Sequence, residues 1–264
     1  MQYGKRDTRF KIYTQINSGA FHSRNKGVEL SSGEFITFLD SDDSFEPLFL
    51  ERAINNFHLD VDIVAVGVHY IGTKRKFHHP QTKLRLTYDK YLKNTLTGKY
   101  GWELWGKIYR RKLFCNVTNL PERINIGEDA YLLLQLILAS KNIALIDIPL
   151  YNYSTRGNSI SKNRSIQYAK ETLRAASYIT DMLRKHADRL VIENEIGAMN
   201  LLFYSNSSRR AILAPKSELV KRIIENHLTF DSLNLLPVGK RFYVLLLLVI
   251  AKIMEYFGVI KEPL

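Results

Sequence analysis

Residues 33–43, Gly-Glu-Phe-Ile-Thr-Phe-Leu-Asp-Ser-Asp-Asp, set an apolar run directly against three acids gathered around one serine. Ile36, Phe38 and Leu39 read as a short buried strand, and the break after Leu39 puts Asp40, Asp42 and Asp43 where that strand ends, outside the core. Ligands of open α/β sheets bind at such strand ends. Crowded carboxylates repel one another and are normally held together by a cation, and an all-oxygen set suits Mg²⁺ or Mn²⁺ carrying bound phosphates. That points to a nucleoside diphosphate site. The same residues also read as a solvated turn that caps the next helix.

Hydrophobic periodicity predicts strands over 10–15, 35–39, 62–70, 105–109 and 143–148. It predicts helices over 20–30, 47–57, 88–96 and 128–139, with Pro47 in the first turn of the second. Strands alternating with helices imply a largely parallel α/β sheet. After Ser161 the character changes to successive helices over 164–185, 190–213 and 216–226, which divides the chain into 1–161 and an all-helical 162–264. Residues 242–251 are apolar on every face, but Lys252 and Glu255 interrupt the run well short of the ~20 residues a bilayer span needs. With Lys240, Arg241 and Lys252 at its flanks, this segment either lies on an acidic membrane surface or packs against its neighbours or a second copy of the chain.

A chain of 264 residues with 45% hydrophobic content buries a substantial core. Its single cysteine, Cys115, excludes an internal disulfide and reads as a small packing residue. The first residues carry no apolar leader, so a cytoplasmic location is expected, peripheral on the inner face of the membrane. The net charge of +12 favours anionic partners. Basic runs at 74–76 and 110–112 come without any nucleic-acid-binding motif, so sequence-specific nucleic-acid binding is not expected.

Beyond the acidic run, the chain holds Asn17-x-Gly19, Arg24-Asn25-x-Gly27, Gly33 through Asp43, Pro47, Gly127-Glu128-Asp129, Tyr151-x-Tyr153 and Asn158-Ser159-Ile160-Ser161, in that order. This order, from Asp7 to Ser161, resembles family 2 glycosyltransferases of the GT-A fold. The resemblance lacks the family's opening strand-helix-strand unit and its Asp-Asp-Gly-Ser segment. It implies an incomplete, Rossmann-like GT-A nucleotide-sugar sheet, with a truncated or half-enzyme relative whose missing half comes from another polypeptide as the alternative to an active enzyme. It implies a metal-dependent, inverting enzyme that moves a sugar from a nucleoside diphosphate donor to a glycan or lipid-linked acceptor in surface polysaccharide synthesis. No Gln-x-x-Arg-Trp follows Asp129, so single addition rather than processive synthesis is implied.

By the same resemblance Asp42 ligates the metal, and Asp40 reaches the ribose or a metal-bound water. Arg24 and Asn25 approach the nucleotide phosphates, and Asn158 and Ser159 belong to a phosphate-facing loop. Asp129 is the base that removes the acceptor hydroxyl's proton. Glu128, Trp105 and Lys107 face the acceptor. Each also has a structural reading. Glu128 and Asp129 are ordinary N-terminal dipole partners of a helix, Arg24 and Asn25 an exposed helix pair, Trp105 core filler, Asp43 a helix cap and the 158–161 loop a turn.

Overall fold

The structure is a computed structural model that describes residues 6–72, 84–154, 164–186 and 192–260. In chain order it runs α1 (Ala20–Leu30), β1 (Phe35–Thr37), β2 (Ser44–Phe45), α2 (Phe49–Ile54), β3 (Val61–Ile71), β4 (Leu84–Thr87), α3 (Tyr88–Leu96) and β5 (Lys107–Arg110). A short 3₁₀ turn, Arg111–Asn116, leads to α4 (Glu128–Ala139) and β6 (Asn142–Ser154). The helices α5 (Ile166–Arg184), α6 (Glu193–Ser208), α7 (Glu218–His227), α8 (Phe230–Leu235) and α9 (Val238–Tyr256) follow.

The strands form one sheet in the order β1-β5-β3-β6-β2, with β4 also paired to β6. The expectation of a largely parallel sheet needs correction, because among the described residues only β3 and β6 pair in parallel. β5 runs back between β1 and β3 and is antiparallel to both, so β1 and β3 share a direction without touching. No helical crossover leads into β5; it follows the loop after α3, and an antiparallel strand needs none. Along β6, β4 takes the first half of the free edge and β2 the second, both antiparallel.

Alternation along β3 sends Val64, Val66 and Val68 to a layer closed by Phe49 and Ala53 of α2. Ile63 and Ala65 point the other way, into a larger core shared with α3, α4, α5 and α6. Helix α4 lies at the centre of that core, with Ala130 to Leu134, Leu136 and Ile137 all buried. A helix apolar all round is stable only when enclosed, and each large side chain buried there contributes about 1.5–3 kcal/mol. The terminal helices pack through a separate cluster, in which Val244, Leu247 and Leu248 of α9 meet Leu201 and Tyr204 of α6.

Residues 10–15 form no strand; the stretch before α1 is irregular, with Phe10, Ile12, Tyr13 and Ile16 exposed. A strand needs a neighbour's hydrogen-bond ladder, and β1, the edge strand, is paired only to β5 among the described residues. Helix α2 is shorter than expected, and Pro47 precedes it. Cys115 is exposed on the 3₁₀ turn, not packed. The basic run 110–112 serves the scaffold: Arg110 donates to the Val61 carbonyl, Arg111 to the Gly33 and Val28 carbonyls, and Lys112 pairs with the buried Asp62. The run 74–76 lies outside the described residues.

Candidate active site

Two structural features bring the predicted acids together. The first is the turn after β1. There the Asp43 amide donates to the Asp40 carbonyl, and the Asp43 carboxylate is clamped to the end of β6 by the Tyr151 hydroxyl at 2.6 Å and the Ser154 amide at 2.8 Å. Asp43 is therefore a tie between the acidic turn and β6, and caps no helix. Burial pushes its carboxyl above the ordinary range even against those two donors.

The second is the start of α4. Glu171 of α5 accepts from the Asn125 amide at 2.9 Å and so fixes the loop that ends at Gly127. Gly127 has φ 89°, and a Cβ there would lie 2.5 Å from the Ala175 Cβ of α5. Only glycine allows both the left-handed turn and that close approach. The turn delivers Glu128 and Asp129 as the first residues of α4.

Helix α1 joins the two. Its one buried side chain, Phe21, packs edge-on against Tyr131 of α4, and Arg24 lies one turn further on the same face. The Arg24 guanidinium donates to Asp129 Oδ1 at 2.5 Å, approaches Glu128 Oε1 at 3.6 Å and reaches Asp40 Oδ1 at 3.3 Å. One cation thus gathers acids from a strand end and a helix start. Burial raises Glu128 to about 7, with the charge of Asp129 adding to the effect. Burial also raises Asp129, to about 6, against the opposing pull of Arg24. No described residue donates to Asp129 Oδ2, which leaves one carboxylate oxygen for another hydrogen bond.

Arg24 is thus occupied by carboxylates, whereas the resemblance aims it at phosphates. Asn25 is half-buried on α1 and makes no side-chain hydrogen bond to the described residues. Asp42 is half-buried with no ion pair among the described residues. Lys107 does not reach Arg24's cluster. It is buried, its Nζ donates to the Glu103 carbonyl at 2.7 Å and lies 3.7 Å from Glu103 Oε1, and burial lowers its pKa. Trp105 stacks on Tyr151 at 4.9 Å and Tyr153 at 5.2 Å. With Lys107, Glu103 and Tyr100 it lines a cavity of about 240 Å³. Asn158 and Ser159 lie outside the described residues.

Sequence reasoning passed over Glu103, which separates that cavity from a second cleft running to Asp129. An acid flanked by Trp102, Leu104 and Trp105 was the available sign. It also passed over Arg209 and Arg210, because basic residues ending a helix usually serve the helix dipole.

The chain is thus an α/β protein with acids from a strand end and a helix start gathered on one arginine. Residues 2–119 match the family model described as glycosyl transferase family 2. EpsH of Bacillus subtilis strain 168, whose name assigns it as a glycosyltransferase, is 31% identical over 166 residues, covering 60% of this chain and 48% of EpsH. The minor teichoic acid biosynthesis protein GgaA of the same organism is 32% identical over 155 residues, covering 55% of this chain and 34% of GgaA. The crystal structure of residues 1–349 of S. aureus TarS superposes with a TM-score of 0.50 at 18% identity, covering 87% of this chain and 67% of that one. The chain spans about half the length of the first curated relatives it matches. Residues 2–119 are thus similar to glycosyl transferase family 2 domains, and the α/β fold is similar to that of TarS.

Proposed function

We propose that this protein transfers a single sugar, with inversion, from a nucleoside diphosphate donor to a glycan or lipid-linked acceptor in surface polysaccharide synthesis. The observation that carries the proposal is the convergence of Asp40, Glu128 and Asp129 on Arg24, beside a strand-end Asp42 without an ion pair among the described residues. Sugar transfer needs a group that holds the departing diphosphate and, separately, a base for the acceptor hydroxyl. Inversion accords with one base and a single displacement. The names of relatives such as GgaA support the polysaccharide setting.

Among the described residues no three His, Cys, Asp or Glu side chains are grouped to hold a metal by themselves. Mg²⁺ and Mn²⁺ sites that carry phosphates need only one or two protein carboxylates, so Asp42 and Asp40 fit the requirement. When bound there, the ion would neutralise charge on the leaving diphosphate. Asp129 Oδ2 accepts the acceptor proton while Oδ1 stays on Arg24. Glu128, titrating near neutrality, keeps the pair from carrying two full charges.

Binding of a nucleoside diphosphate is expected to require Mn²⁺ through Asp42. Calorimetry on wild type and Asp42→Asn, each with and without the ion, checks this. Equal affinity in all four titrations would remove Asp42 and the metal from the account.

The C-terminal helix supports a membrane-surface role within this proposal. No helix among the described residues is long and apolar enough to cross a membrane. Yet α9 buries Val244, Leu247, Leu248 and Ala251 while exposing Phe242, Leu246, Val249 and Ile253 as a second apolar stripe. Lys240, Arg241 and Lys252 flank that stripe, which suits an acidic leaflet. Replacing Phe242, Leu246 and Val249 together by serine is expected to release the protein from vesicles rich in phosphatidylglycerol while leaving its thermal unfolding nearly unchanged, and salt should weaken the wild-type binding. If wild type does not sediment with such vesicles, or the triple variant sediments equally well, α9 has no membrane role.

A further inference from the structure

The second cleft begins at Gly127 and Asp129 and has a volume of about 610 Å³.

 Neither Asp40 nor Asp42 lines this cleft. Its walls are the stacked rings of Trp102 and Phe203, 4.6 Å apart, and its far side carries Arg164, Arg209 and Arg210. Among the described residues the acids in the lining are Glu103 and Asp129, and Asp129 is already held by Arg24. Arg164 and Arg209 form no ion pair with a described acid, and Arg209 lies over the Tyr243 ring at 5.8 Å, which fixes its stem and leaves its donors available. The exposed guanidinium groups of Arg164 and Arg209 thus offer their donors to one cleft beside an aromatic wall. Planar guanidinium forks match phosphate oxygens two at a time, which makes a phosphate ester the fitting anion.

We propose that this cleft binds the acceptor, and that the acceptor carries a phosphate ester seated on Arg164 and Arg209, with its body against Trp102 and Phe203 and its hydroxyl at Asp129. The inference deepens the sugar-transfer reading and rests on it. A molecule placed here reaches the base without passing the strand-end acids, so the donor and the acceptor have separate seats.

Two sources offer the same chemistry, a soluble polyol phosphate and a lipid phosphate. The probes are therefore glycerol 3-phosphate and monomeric dihexanoyl phosphatidic acid, with glycerol as the uncharged control, titrated at constant ionic strength by calorimetry. At least one phosphate ester is expected to bind while glycerol does not, and Arg209→Gln, at an exposed position that tolerates the change, should weaken that binding by about 10-fold. Arg164→Gln gives a second reading at another exposed position. Binding of both esters identifies the phosphate alone as sufficient, and binding of the lipid ester alone identifies a lipid source. Asp42→Asn should leave ester binding intact, so failure of the donor reading would show in the nucleotide titration and not in this one. The proposal is overturned if neither ester binds, if both arginine variants bind as wild type does, or if a nucleoside diphosphate competes for the same arginines.

Discussion

Asp129→Asn is expected to lower turnover by at least ~100-fold while donor affinity changes little, as loss of a general base should. The substitution keeps the shape of the side chain and an oxygen for Arg24, so the start of α4 stays in place. What is lost is the ability of Oδ2 to take a proton. With Asp129 raised to about 6 by burial, the wild-type rate should rise with pH through that value, because a base works only when deprotonated. Glu128, raised to about 7, titrates with it, so the limb belongs to the pair. Large loss of donor affinity with unchanged turnover would instead make Asp129 a binding or positioning residue.

Arg24→Met is expected to destabilise the fold by about 3 kcal/mol at pH 8, the lower end of the cost of breaking a buried ion pair. The side chain is 17% exposed and holds Asp40, Glu128 and Asp129, so its loss leaves their charges facing one another. The effect has a definite pH sign. A carboxyl whose folded pKa lies above its unfolded value of about 4 binds more protons when folded, so its contribution to stability is complete below about pH 4 and is lost as pH rises through the folded value. Glu128 and Asp129 are such groups, and removing Arg24 raises both further. The gap between wild type and variant in urea unfolding should therefore be large at pH 8 and shrink at pH 4.5. An equal gap at both values would mean that Arg24 stabilises by packing rather than by charge.

How legible each part was in the sequence depended on the range of the interaction that forms it. The bounds expected for α1, α3 and α4 agree with the structure because glycine and serine breaks and an unambiguous apolar pattern are local. Residues 10–15 have the alternation of a strand but no partner among the described strands, and pairing is not a local property. The reversed course of β5 was hidden for the same reason, since a run of four residues carries no mark of direction. At the site, the strand-end acids and the Glu128-Asp129 pair stood out as motifs. Their meeting on Arg24 did not, because Arg24 and Asp129 lie 105 residues apart. Tyr151 was visible as half of a Tyr-x-Tyr pair, but its bond to Asp43 depends on β2 pairing with the end of β6.

Whether the acids gathered around Arg24 transfer sugar from a nucleotide is decided by product release. Nucleoside diphosphate is measured from a panel of nucleoside diphosphate sugars in the presence of Mn²⁺ and phosphate-ester acceptors, with wild type and Asp129→Asn side by side. Acceptor-dependent release from at least one donor by wild type is expected, matched by sugar appearing on the acceptor, with release at least ~100-fold slower from the variant. Release from no donor, or equal release by the two proteins, would contradict that transfer.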